Sequence, residues 1–164
     1  MAIASANLSP YIAMGFNAPE LVQMRTISCT TGPFTNAIQK MFTITGGPIY
    51  GRVIGMVTTD VGATAMNGTL QITTVAPAST TVLSTTVSCA SKAAGTSIRF
   101  IGATGVLTPV TAGAVMIDPV LTGDCWFLMP IGAVQFLTTA INTGLIVWSM
   151  TYTPLVPDAV VVLT

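Results

Sequence analysis

The chain has 164 residues, of which 51% are hydrophobic and only 6% charged, with five Lys plus Arg against five Asp plus Glu and no His. That length fits one domain with a real core. A soluble domain is usually about a quarter charged, so the surface here must be built from Thr, Ser, Ala, Gly and apolar side chains and is expected to be covered by other subunits. Nucleic-acid binding by phosphate neutralisation is not expected, because Arg25, Lys40, Arg52, Lys92 and Arg99 are scattered singly.

The first 38 residues carry little periodicity and are broken by Pro10, Gly15, Pro19, Gly32 and Pro33. Met1-Ala2-Ile3-Ala4-Ser5 has no basic stretch before an apolar run, so no signal peptide is expected. Leu21–Cys29 is the one plausible strand of this region. Residues 1–38 are therefore either an irregular N-terminal arm lying over a neighbour or the first strand and loops of the domain. The arm is preferred, since long structureless stretches inside a compact domain are uncommon. Residues 39–164 make up the domain itself.

Met41–Thr59 organises the rest. Phe42 and Ile44 alternate with Thr43 and Thr45, and Ile49, Val53, Ile54 and Val57 follow the corner Gly46-Gly47-Pro48. Such residues suit a pleated, half-buried surface, and Gly supplies the backbone freedom of a sharp corner. The expectation is a hairpin of two strands. Asn67-Gly68 signals a turn before a strand Thr69–Val75 that stops at Pro77. A further strand is expected over Thr80–Cys89, where hydroxyl and β-branched residues disfavour a helix.

Ser97–Ile101, Ala112–Val120 and Trp126–Met129 read as short strands, the last stopped by Pro130. Ala133–Ala140 and Gly144–Thr153, joined at Asn142-Thr143-Gly144, read as the clearest hairpin. In its second arm Ile146, Trp148, Met150 and Tyr152 alternate with Val147, Ser149 and Thr151. Val160–Leu163 is expected as a last edge strand. About eight short strands at this spacing predict an all-β fold, an antiparallel β-sandwich or jelly roll.

From Cys125 to Pro157 no residue is charged, but Pro130, Gln135, Asn142 and Gly144 interrupt the run, so a membrane span is not expected. Cys29, Cys89 and Cys125 are far apart, and no His is present to complete a metal site. They are expected as free, buried thiols, and no metal or cofactor is expected. Without His, Ser-His-Asp and Cys-His chemistry is impossible. Glu20, Asp60, Asp118, Asp124 and Asp158 stand isolated in sequence. Asp60 and Asp118 read as turn residues whose side chains bond their own backbone. No catalytic residue is nominated, and enzyme activity is not expected. The candidate residues are structural: the corner Gly46, Gly47 and Pro48, and the aromatics Trp126, Trp148 and Tyr152. The three aromatics serve as interface anchors or core packing, with core preferred for both tryptophans.

Phe42-Thr43-Ile44-Thr45-Gly46-Gly47-Pro48 with Val57-Thr58-Thr59, and the ending Gly144-Leu145-Ile146-Val147-Trp148-Ser149-Met150-Thr151-Tyr152-Thr153-Pro154-Leu155, resemble a family of small tailed-bacteriophage virion proteins. The resemblance runs from Met41 onward. It departs at Val156-Pro157-Asp158-Ala159, which keeps one carboxylate where the family's tail is more acidic. It implies a capsid decoration or cement protein, homotrimeric, bound to the major capsid protein on the virion surface and made in the host cytoplasm. The other reading is a carbohydrate- or receptor-binding sandwich displayed on a head fibre or tail.

Overall fold

The structure, a computed structural model, describes residues 24–99, 116–117 and 126–164. Its strands are β1 (Arg25–Thr31), β2 (Phe34–Thr35), β3 (Ile38–Thr45), β4 (Ile49–Thr59), β5 (Asn67–Val75), β6 (Ala78–Val82) and β7 (Val87–Ser88). They continue with β8 (Ser97–Arg99), β9 (Met116–Ile117), β10 (Phe127–Met129), β11 (Gly132–Thr138), β12 (Ile141–Asn142), β13 (Leu145–Pro154) and β14 (Val160–Leu163). No helix occurs among the described residues.

Two six-stranded antiparallel sheets form, and β2 pairs with β12 in a separate two-stranded one. The first runs β1-β13-β4-β10-β9 with β8 also on β4, the second β14-β3-β11-β5-β6 with β7 also on β5. Eight principal strands pair in nested fashion: β1 with β13, β3 with β11, β4 with β10, and β5 with β6. First meets last and the innermost two form a hairpin, which is a folded-over antiparallel ribbon and hence a jelly roll. The all-β sandwich read from the sequence is the fold.

Neither expected long hairpin exists as a pair. β3 lies in the second sheet and β4 in the first, so Gly46-Gly47-Pro48 is a crossing between sheets. Thr45 pairs with Val160, while Ile49 pairs with Pro154 and Met129. The same holds for β11 and β13, which belong to opposite sheets. Alternation in each arm reports which face is buried. It says nothing about which strand lies alongside.

Three further expectations are corrected. Asn67-Gly68 is no turn but the start of β5, where the Phe136 ring fills the space a side chain on Gly68 would need. Thr80–Cys89 is not one strand. Leu83 and Ser84 both direct their N–H groups to the Leu70 carbonyl, at 2.8 and 3.3 Å, and this kink separates β6 from β7. In residues 24–38 the alternative reading, the first strand and loops of the domain, replaces the preferred arm: β1 pairs with β13 along its whole length from Arg25↔Tyr152 to Thr31↔Ile146. The remainder of the proposed arm, with Leu21 and Val22, lies outside the described residues.

The core lies between the sheets. Val53 and Val57 of β4 and Ile146, Trp148 and Met150 of β13 face Phe42 and Ile44 of β3, Leu70 and Ile72 of β5, and Val134 and Phe136 of β11. Phe136 and Trp148 meet across the interface with ring centroids 4.7 Å apart. A register shift at Val134/Gln135 opposite β3 lets the successive residues Met41 and Phe42 both be buried.

Candidate functional site

The corner Gly46-Gly47-Pro48 is wrapped by the segment joining β13 to β14. Gly46 has φ +74, and a Cβ there would lie inside the carbonyl of Asp158, so only glycine fits. The Leu155 N–H donates to the Pro48 carbonyl at 3.1 Å, fixing the same segment from its other end. The corner is thus a structural joint holding the C-terminal strand in place.

Trp148 and Tyr152 face inward. Trp148 is fully buried, and its indole Nε1–H donates to Thr31 Oγ1 at 2.7 Å. Gly55 on the neighbouring strand makes room for this ring, since a Cβ there would come within 2.5 Å of Trp148 Cζ3. The Tyr152 hydroxyl accepts the N–H of Val161 at 3.4 Å, linking β13 in one sheet to β14 in the other. Trp126 belongs elsewhere. It lies half-buried on the outer side of the first sheet, stacked on Tyr50 at 5.2 Å and 20°, with the Arg52 guanidinium carbon 5.4 Å from its ring centroid. The structure therefore does not gather the three aromatics into one site.

Titratable groups are sparse. The Asp60 carboxylate accepts the Ala94 N–H at 2.7 Å, so it pins a distant loop and not its own turn. Beside it is a shallow depression of about 260 Å³, lined by Asp60, Val61, Ala63, Ser91, Lys92 and Ala93. Asp158 sits at the Gly46 corner, at the opposite end of β4 from Asp60. Those two carboxylates are therefore on the order of 30 Å apart, too far for shared acid–base work. Asp118, Asp124 and Glu20 lie outside the described residues, as does Cys125. Burial pushes the thiols of Cys29 and Cys89 up to about 11, with Lys92 opposing the shift at Cys89. Both are free thiols, Cys89 buried and Cys29 half-buried, and the thiol is the less nucleophilic form. Among the described residues no three Cys, Asp or Glu side chains gather into a metal site.

What the sequence reading missed is a surface. Registers place Val162, Thr43, Ala133, Thr73 and Thr80 in one row across the outer face of the second sheet. The next row toward the corner holds Val160 and Thr45 at one side and Val75 and Ala78 at the other, with Ile131 entering β11 between them. On the other side lie the exposed Lys40 and Val82, with the buried pair Gln135 and Gln71 between them. Lys40 is the one charged residue in these rows. Val75 is 82% exposed and Ile131 50%. The polar groups satisfy one another: Gln71 Nε2 donates to Gln135 Oε1 at 2.9 Å, Thr73 Oγ1 donates to the same oxygen at 3.1 Å, and the Thr73 and Thr80 hydroxyls lie 3.1 Å apart. The available signal was the absence of any charge from Val61 to Ser91.

Comparison with protein-family models, with curated proteins and with solved structures found no match for this chain. Among the described residues no helix is long and apolar enough to cross a membrane.

Proposed function

We propose that this protein is a structural virion component, a capsid decoration or cement protein that binds the major capsid protein and catalyses nothing. The observation that carries the reading is the outer face of the second sheet: broad, internally hydrogen-bonded, and with Lys40 as its one charge. A surface so poor in charge is suited to permanent cover. Jelly rolls recur in capsid and lectin domains, but that likeness concerns fold, and function rests on the surface. Docking removes apolar area from water at about 25 cal/mol per Å², and repetition around a shell multiplies modest contacts. The homotrimeric state is part of the proposal and follows the family resemblance.

The test mixes purified protein with particles lacking it and images them by electron microscopy. Ala133→Asp and Thr73→Lys, placed mid-face, should abolish decoration while leaving the circular dichroism spectrum unchanged. Full decoration by both variants would remove the face from the argument. Particles that withstand heat equally well with and without the protein would remove the cementing role.

A second reading rests on Tyr50, Trp126 and Arg52. A partly exposed aromatic pair beside a guanidinium is a stacking platform for a sugar or a receptor side chain. Trp126→Ala should then abolish adsorption to host cells and leave particle decoration intact, whereas unchanged adsorption would dismiss this reading.

A further inference from the structure

We infer that β6 is an open pairing edge through which two copies of this chain join antiparallel, about a twofold axis midway between the two Thr80 residues. An edge strand presents N–H and C=O groups with no partner, and proteins ordinarily guard such edges with charge, proline, bulges or a covering element. The edges of this sandwich differ in how they are guarded. β1 opens with Arg25. On β14 the Val161 N–H is already taken by Tyr152. β9 is two residues long.

β6, Ala78-Ser79-Thr80-Thr81-Val82, has none of these protections within its five residues. It ends the second sheet, and among the described residues no strand pairs with its far side. Ser79 is exposed although its register partner Thr74 faces inward and is buried. Among the described residues the opposite sheet therefore does not extend beneath this rim. The bulge at Leu83 and Ser84 lies beyond β6 and bounds the free edge without interrupting it.

The occupant is a second copy because the strand is compatible with its own reverse. About Thr80 the pairs are Ala78 with Val82, Ser79 with Thr81, and Thr80 with itself. All are small, hydroxyl or β-branched, and Thr–Thr pairs are favourable across antiparallel strands. No charge lies between Val61 and Ser91 to repel a like edge or to select a foreign, charged one. The formal net charge of zero removes long-range repulsion between copies. Taken alone such an isologous contact closes on itself, and in the homotrimer of the proposed function it joins copies that belong to neighbouring trimers.

Single cysteines test the geometry. Thr80→Cys and Val82→Cys are each placed in a Cys125→Ser background and oxidised gently without particles, then run on denaturing gels. In the paired edge Thr80 faces its own mate at about 4.5–5.5 Å between Cα atoms, within disulfide reach. Val82 lies two residues from the axis, so its mate is on the order of 14 Å away, beyond reach. Thr80→Cys should give covalent dimers, and Val82→Cys at least about tenfold less. Thr80→Lys should abolish edge-dependent association in sedimentation, while Thr80→Val retains it. Equal cross-linking at both positions, or no dimer from Thr80→Cys in a chain with unchanged melting, overturns the pairing. Neither result bears on decoration, which the face variants test separately.

Discussion

Replacing Gly46 by Ala tests whether the crossing between the sheets depends on one glycine. At φ +74 an L-residue costs about 1–2 kcal/mol from its own backbone. The added methyl also collides with the Asp158 carbonyl, a backbone atom that cannot rotate aside. Relief requires the segment from Leu155 to Ala159 to move. That endangers the 3.1 Å Leu155–Pro48 bond, worth about 1 kcal/mol net. It also loosens Val161, which is 4% exposed and whose complete loss from the core would cost up to about 1.5–3 kcal/mol. Partial loss of these terms sums to about 3–5 kcal/mol, a large share of an ordinary domain's stability. Gly47→Ala is the comparator, because its new methyl meets the Val156 side chain and no backbone atom, and its cost should be the smaller, about 1–3 kcal/mol. Urea titration followed by tryptophan fluorescence reads both. A Gly46→Ala chain within about 1 kcal/mol of the parent, or one more stable than Gly47→Ala, would refute the argument that the joint needs this residue.

Trp148→Ala should cost about 3–5 kcal/mol in the same titration, since it empties the centre of the core; a smaller effect would mean that the sheets close over the gap. Thr31→Val keeps the shape but strips the indole N–H of its acceptor, and should cost about 1–3 kcal/mol, read as a lower urea midpoint at unchanged slope. Cys29 and Cys89 ionise near 11 in the folded chain against an ordinary 9.0. The unfolded chain thus loses these protons first, so their contribution is complete below pH 9 and falls away as pH rises toward 11. Thermal melts across that window should show the decline, and in a Cys125→Ser chain iodoacetamide at pH 8 should label neither thiol until the chain unfolds.

The strand pattern was legible because burial in this chain is a local property. Ile146, Trp148, Met150 and Tyr152 all face the core, as their period-two spacing requires. The partners of those strands were not legible. Arg25 lies opposite Tyr152 and Gly132 opposite Ile44, and no local pattern encodes such distant pairs. Asn67-Gly68 misled for a related reason: a dipeptide that favours a turn was placed in a strand by the Phe136 ring packing on Gly68. Among the candidates, Gly46 was readable because its backbone requirement is its own. The separation of Trp126 from Trp148 was not, since Trp126 stands just before the three-residue β10, without the long alternation that shows Trp148 facing inward.

The face and the edge belong to the same sheet, and this couples their consequences. A twofold axis that pairs β6 with its mate stands perpendicular to the sheet, so both outer faces turn to the same side. Two joined copies then offer one continuous surface to whatever they cover. A single face of ordinary interface size, about 800 Å², gains on the order of 20 kcal/mol gross at 25 cal/mol per Å². Lost rigid-body freedom takes back an estimated 4–15 kcal/mol, before side-chain ordering and imperfect polar pairing reduce the remainder further. A linked pair meets that rigid-body cost largely once for two faces, because the second docks at the effective concentration set by the first. A Ser79→Lys chain, which puts a charge on the edge but on the side away from the outer face, should therefore still decorate particles, but with lower apparent affinity and a faster loss on dilution than the parent. Equal retention of both after dilution would mean that the copies bind independently and that the edge, even if it pairs in solution, adds nothing on the shell.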